Sequence, residues 1–185
     1  MLHATQIPGR RLCAMLALAV LASGLASCGD SRPPVPAAPA PALRTVADHF
    51  DIALGGRVLH LQVAVLQPEL ERGLMERRKL AADEGMIFIF SNPHTLTFWM
   101  HNTPTPLDIG FFTAGGVLAE IYPLLPFDER VVASRRADLQ IAVEMRSGWY
   151  GDNRIGPGAA LDMAAVVSAL KARGFDPGKY GLAPR

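Results

Sequence analysis

The richest chemistry in this sequence sits on eleven consecutive residues, Phe98-Trp-Met-His-Asn-Thr-Pro-Thr-Pro-Leu-Asp108. Trp99, His101, Asn102, Thr103 and Asp108 bring an aromatic face, an imidazole, an amide, a hydroxyl and a carboxylate together. Pro104 and Pro106 fix φ between them, so the segment holds one shape. Two readings follow. In the structural one, Asn102 and Thr103 bond neighbouring backbone and Asp108 closes the loop. In the functional one, the same groups form a rigid polar rim beside Trp99, as in a small-ligand site with few placed polar groups. Arg72 and Glu84 either join that rim or pair with each other.

Two other chemistries are open. Met75, Met86, Met100 and His101 offer thioether and imidazole donors without a thiol, a set that suits Cu(I). Methionine is also an ordinary filler of apolar cores. Met100 and His101 lie on opposite faces of a strand, so both ligate only if the strand ends there. Asp108, Glu84, Glu144 and His101 would serve an envelope hydrolase as acids and bases, although no pair has a diagnostic spacing. The chain has no G-x-S-x-G, no H-E-x-x-H, no Walker loop and no zinc-deaminase signature. The preferred reading is a binding module without a cofactor, with a periplasmic copper-binding protein and a hydrolase as alternatives.

The elements that must position these residues begin after an export signal. Arg10 and Arg11 precede the apolar run Leu12–Leu25, which matches a signal-peptide core and is short of the ~20 residues of a membrane span. Leu25-Ala26-Ser27-Cys28 resembles a bacterial lipobox, so residues 1–27 are expected to be removed and Cys28 to be acylated. Cleavage leaves 158 residues with 16 basic and 17 acidic side chains, and takes away Cys13, the only other cysteine. Free thiols, disulfides and cysteine metal sites are thereby excluded from the mature chain. Residues 28–43 form a linker with five prolines between Gly29 and Leu43, which would reach roughly 45 Å as polyproline II. By resemblance to enterobacterial sorting, Gly29 after the cysteine carries no inner-membrane retention signal. The expected location is the periplasmic face of the outer membrane, with the lipid as membrane partner and a small molecule or envelope protein as second partner. Half the residues are hydrophobic and 19% are charged, with a formal net charge of +1. That excludes disorder and gives no cationic excess for nucleic acid.

Residues 44–161 read as a β-rich globular domain. Val46–Leu54 and Arg57–Leu66 flank Gly55-Gly56, a hairpin signal. Pro68–Met75 opens like a short helix. Met86–Phe90, Leu96–Met100, Leu107–Thr113, Val117–Tyr122 and Leu139–Met145 read as strands, separated by a turn at Ser91–His94 and loops at Pro123–Arg136 and Gly148–Gly158. Residues 162–185 supply a C-terminal helix and tail, with Asp162 as N-cap and Gly174 just past the end. The fold class is α+β, mainly β: a small antiparallel, barrel-like domain with one short early helix and one C-terminal helix.

Three motifs share a further property. Arg72-Gly-Leu-Met75, Asp83-Glu-Gly-Met86 and the Phe98–Asp108 run, followed by Glu144 and Gly148-Trp149, resemble the domain-of-unknown-function family 192. The similarity covers roughly Val46 to Leu161, and His101 occupies a position where the family pattern has a basic residue. The resemblance implies a small exported or lipid-anchored β-rich domain, with no activity attached.

Overall fold

A computed structural model describes residues 42–182. The expected signal peptide, Cys28 and nearly all of the proline-rich linker lie outside the described residues. Eight strands are present: β1 (His49–Leu54), β2 (Arg57–Ala64), β3 (Glu84–His94), β4 (Thr97–Phe98), β5 (Leu107–Thr113), β6 (Leu118–Leu124), β7 (Val132–Ala133) and β8 (Leu139–Arg146). The helices are α1 (Gln67–Arg72), α2 (Trp149–Asp152), α3 (Met163–Ala172) and a 3-10 turn at Pro177–Tyr180. The fold is α+β and mainly β.

Six strands form one sheet in the order β1-β2-β3-β8-β5-β6, and β4 pairs with β7 in a separate ribbon. All pairings are antiparallel except β2 with β3, which run parallel with Leu61 opposite Gly85. A parallel pair needs a crossover, and the crossover here carries α1 and the Arg-Gly-Leu-Met motif. The Gly55-Gly56 hairpin is made as expected.

The expected barrel is not formed. The sheet is open, with β1 and β6 at its edges. Residues 158–162 run between those edges at one end. Asp162 N–H donates to the Ala53 carbonyl at 2.8 Å, and Leu118 N–H donates to the Ala159 carbonyl at 2.8 Å. The segment makes only two isolated bridges, because Asp162 already caps α3 by accepting from the N–H groups of Ala164 and Ala165. No length remains for a closing strand. Three loop assignments also change. Ser91–His94 is the bulged end of β3. Pro123–Arg136 contains the end of β6 and all of β7, and Gly148–Gly158 contains α2.

Two apolar clusters lie on the two faces of the sheet. Ile52, Leu61, Ile87, Ile141, Val143 and Met145 pack under Val166 and Leu170 of α3 and beside Trp149. On the other face Met86, Phe88, Ile109, Phe111 and Ala142 lie beneath Leu74, Leu96, Phe98 and Met100. Strand β8 is buried from Leu139 to Met145 and alternates between the clusters, so Glu144 falls on the second face. Gly85 sets how closely β3 and β8 approach: a Cβ there would lie 2.3 Å from the Glu144 carbonyl oxygen and 2.5 Å from Met145 Sδ.

Arg173, at the end of α3, is buried. It donates to Glu69 of α1 at 2.5 Å and to the Val63 carbonyl. Burial pushes Glu69 up, but the N–H groups of Val65 and Leu66 and the guanidinium outweigh it and hold the carboxyl below its ordinary range. This pair ties α1 to the C-terminal helix, and so fixes one wall of the site. Among the described residues no helix is long and apolar enough to cross a membrane.

Candidate functional site

Glu144 is the anomaly of the sheet. Its residues in register are Met86 on β3 and Ile109 on β5, both apolar, and it is only 4% exposed. No described residue gives its carboxylate a hydrogen bond or a cation, and burial alone pushes it up to about 8. A buried, unpaired carboxyl is expensive and escapes the penalty by holding its proton.

The carboxyl faces a cavity of about 220 Å³. Phe88, Phe98, Leu74 and Thr103 form its buried floor and walls with Glu144, while Gln67, Glu71, Arg72 and Trp99 stand at the solvent side. Phe88 and Phe98 meet edge to face, with ring centroids 5.0 Å apart. The crossover motif shapes the cavity through Gly73, which has φ 46° and ψ −131°, a conformation open essentially to glycine alone. A Cβ on Gly73 would sit 3.3 Å from Phe88 Cζ and 3.9 Å from Glu144 Oε2. The turn therefore keeps a channel to the carboxyl that any side chain would narrow.

The residues singled out in the sequence divide between this cavity and other duties. Arg72, Trp99, Thr103 and Glu144 line it together. Arg72 pairs with Glu76 at 2.8 Å, whereas Glu84 lies 3.1 Å from His49 and accepts from Ala81 N–H, so the two do not pair with each other. His101 stacks on Trp99 and hydrogen-bonds Glu129 at 2.7 Å. Asn102 has φ 51°, and its carbonyl accepts from Glu76 N–H at 2.8 Å. Its role is local, since asparagine tolerates the left-handed region. Thr103 donates to the His101 carbonyl at 3.1 Å.

Asp108 accepts from Gly148 N–H at 2.8 Å. Asp83 accepts from Trp149 Nε1 at 3.0 Å. These bonds join the early motifs to the Gly148-Trp149 segment, so a large part of the motif chemistry is scaffold. Tyr150 continues that scaffold from the opposite face, donating to the Val143 carbonyl at 2.9 Å.

The four donors considered for copper do not all border one depression. Met75 and Met86 border a second depression beside Gln62 and Arg77. Met100 borders a third, beside Pro123 and Asp128. His101 is turned toward Glu129. Among the described residues no group of three or more His, Cys, Asp or Glu side chains stands close enough to hold a metal ion.

In the sequence Glu144 stands out as one of several acids and as part of the family pattern, without Gly73, Phe88 or Phe98 as its surroundings. The signal was present: in Leu-Gln-Ile-Ala-Val-Glu-Met an acid interrupts a strand that is otherwise suited to burial on both faces.

The family model DUF192, described as Uncharacterized ACR, matches residues 51–163. Two solved structures are similar. One is a protein of unknown function from Novosphingobium aromaticivorans DSM 12444, 31% identical, covering 66% of this chain and 92% of that one, with a TM-score of 0.60. The other, from Sinorhizobium meliloti 1021, has a description that proposes a role in transcription regulation. It is 31% identical and covers 62% of this chain and 92% of that one, with a TM-score of 0.59. No curated protein matches the chain.

Proposed function

The chain belongs to the DUF192 family, and from that premise we propose that it is a lipid-anchored envelope protein whose head binds a small molecule without transforming it. The observation that carries the binding reading is the orientation of Glu144. A carboxyl that lacks a partner among the described residues, at the end of an aromatic-walled cavity, is placed to receive one from outside. Binding is favoured over catalysis because the other acids and bases are engaged elsewhere. His101 is held by Glu129, Asp108 by Gly148 N–H, and Glu84 by Ala81 N–H and His49. The anchor rests on the basic start, apolar run and Leu-Ala-Ser-Cys28 of the sequence, and the outer-membrane location on Gly29 after that cysteine. A near-neutral charge gives no support to a nucleic-acid partner.

The test uses the native lipoprotein extracted in mild detergent. It is denatured after extensive washing, and released small molecules are identified by mass spectrometry. Trp99→Ala, which removes a half-exposed ring from the cavity mouth, is the control. A compound released by the native protein and depleted at least tenfold in the variant supports the reading. Release of the same compounds in equal amounts from both proteins, or of none from either, contradicts it.

A further inference from the structure

We infer that the Glu144 cavity selects a small primary amine, with the ligand's ammonium group on the carboxylate and its hydrocarbon part among Phe88, Phe98 and Leu74. The inference rests on the binding reading above and adds the ligand's chemical class.

Geometry decides among three candidate partners for the carboxyl. An anion is disfavoured, because Arg72, the one cation lining the cavity among the described residues, stands at the solvent side and is already paired with Glu76. A carbonyl would accept the single proton of Glu144 and leave the other carboxyl oxygen without a donor, and an alcohol would bring that oxygen one donor but no charge. An ammonium supplies three donors and a charge to a group that has neither. The aromatic walls add attraction to a cation near a ring face and take the apolar tail. A volume of about 220 Å³ equals about seven waters at their share of the liquid, which suits a chain of a few carbons. The Gly73 turn leaves the approach to Oε2 unobstructed by a side chain.

This arrangement couples binding to proton release. The empty cavity holds Glu144 protonated at neutral pH, and the ammonium requires the carboxylate. Of the ionisable groups on the surrounding elements, α1 carries Glu69, Glu71 and Arg72, with Glu69 bound to Arg173; β3 carries Glu84, held by Ala81 N–H, and His94 at its two ends; Asp108 on β5 is held by Gly148 N–H, Arg146 on β8 pairs with Asp152, and Tyr150 lies across the sheet. An alkylamine keeps its own charge up to roughly pH 10, so any pH dependence between 5.5 and 9 reports the protein.

The experiment is calorimetric titration of the intact protein with n-butylammonium chloride and with n-butanol, from pH 5.5 to 9. Glu144→Gln is run in parallel with melting curves. The expected result is amine affinity rising about tenfold per pH unit up to about pH 8 and levelling above it. Protons should be released on binding at pH 7, as read from buffers of different ionisation enthalpy. Glu144→Gln should remain folded and lose the amine by at least tenfold, together with the pH dependence. Butanol binding more tightly than the amine at every pH would overturn the amine assignment and leave the small-molecule reading in place. No binding of either probe would also overturn it, and the extraction experiment above would then judge the wider reading by itself.

Discussion

Replacing Glu144 by glutamine removes a titration that the fold makes unfavourable, and the size of the effect follows from the structure. The carboxyl moves from 4.5 when unfolded to about 8 in the native state. The folded state thus binds the proton more tightly, and stability falls as pH rises through that window. Each pH unit between the two values removes about 1.4 kcal/mol. The stability is fully present below about pH 4.5, roughly 3 kcal/mol is gone at pH 7, and roughly 4–5 kcal/mol is gone above pH 8. Glutamine keeps the shape and loses the slope. The assay is urea unfolding of both proteins at half-unit steps from pH 4 to 9, in amine-free buffer, reading the difference in unfolding free energy. Carboxyls held below their ordinary range, such as Glu69, Asp128 and Asp138, contribute equally to both proteins and cancel. The wild type should lose ground to the variant steadily between pH 4.5 and 8 and hold level beyond. A difference constant across that range would show that Glu144 is already solvated or paired, and would refute the reasoning from burial.

Further outcomes follow from the same geometry. Gly73→Ala places a Cβ at a backbone angle that resists it and against Phe88; it should lower stability by about 1–3 kcal/mol in urea melts, and weaken binding beyond that. Glu69→Gln should destabilise by about 3–5 kcal/mol in urea melts, because it leaves the buried Arg173 guanidinium without its counter-charge; Arg173→Met should cost less, because Glu69 is part-exposed and keeps the N–H groups of Val65 and Leu66. Cys28→Ser should leave an unacylated precursor by mass spectrometry of the membrane fraction, while a free thiol at Cys28 in the native protein would rule out the anchor.

Much of the fold was legible because local signals and tertiary structure agree. Leu107–Thr113 is a strand within its expected bounds, and Gly55-Gly56 makes its hairpin. Asp162 caps the last helix, with Gly174 at φ 83° just past its end. Topology was less legible. The parallel pairing of β2 with β3 depends on where the crossover lands, which residue periodicity does not encode. The barrel expectation failed for a related reason. Whether β1 and β6 meet is decided by residues 158–162, whose sequence shows a loop and not its span.

At the site, the Phe98–Asp108 run drew attention by its variety, yet its polar members serve the scaffold in several ways: Asp108 takes Gly148 N–H, and Thr103 and Asn102 shape one turn. Glu144 looked plain beside them. Its significance lies in what surrounds it, and that surrounding comes from β3, the α1 crossover and β4, which only folding brings together. Gly73 is legible as a glycine that costs up to about 1 kcal/mol in a helix and so suggests close approach by another backbone; its close neighbour is the Phe88 ring instead, and it marks where α1 ends and the cavity begins.

The most direct test of the account is the carboxyl 13C resonance of Glu144, titrated from pH 4 to 10 with the cavity empty and again with saturating n-butylammonium. The account predicts a midpoint near 8 in the empty protein, moved down by a unit or more when the amine is bound. A midpoint near that of an ordinary carboxyl, unchanged by the amine, would contradict it.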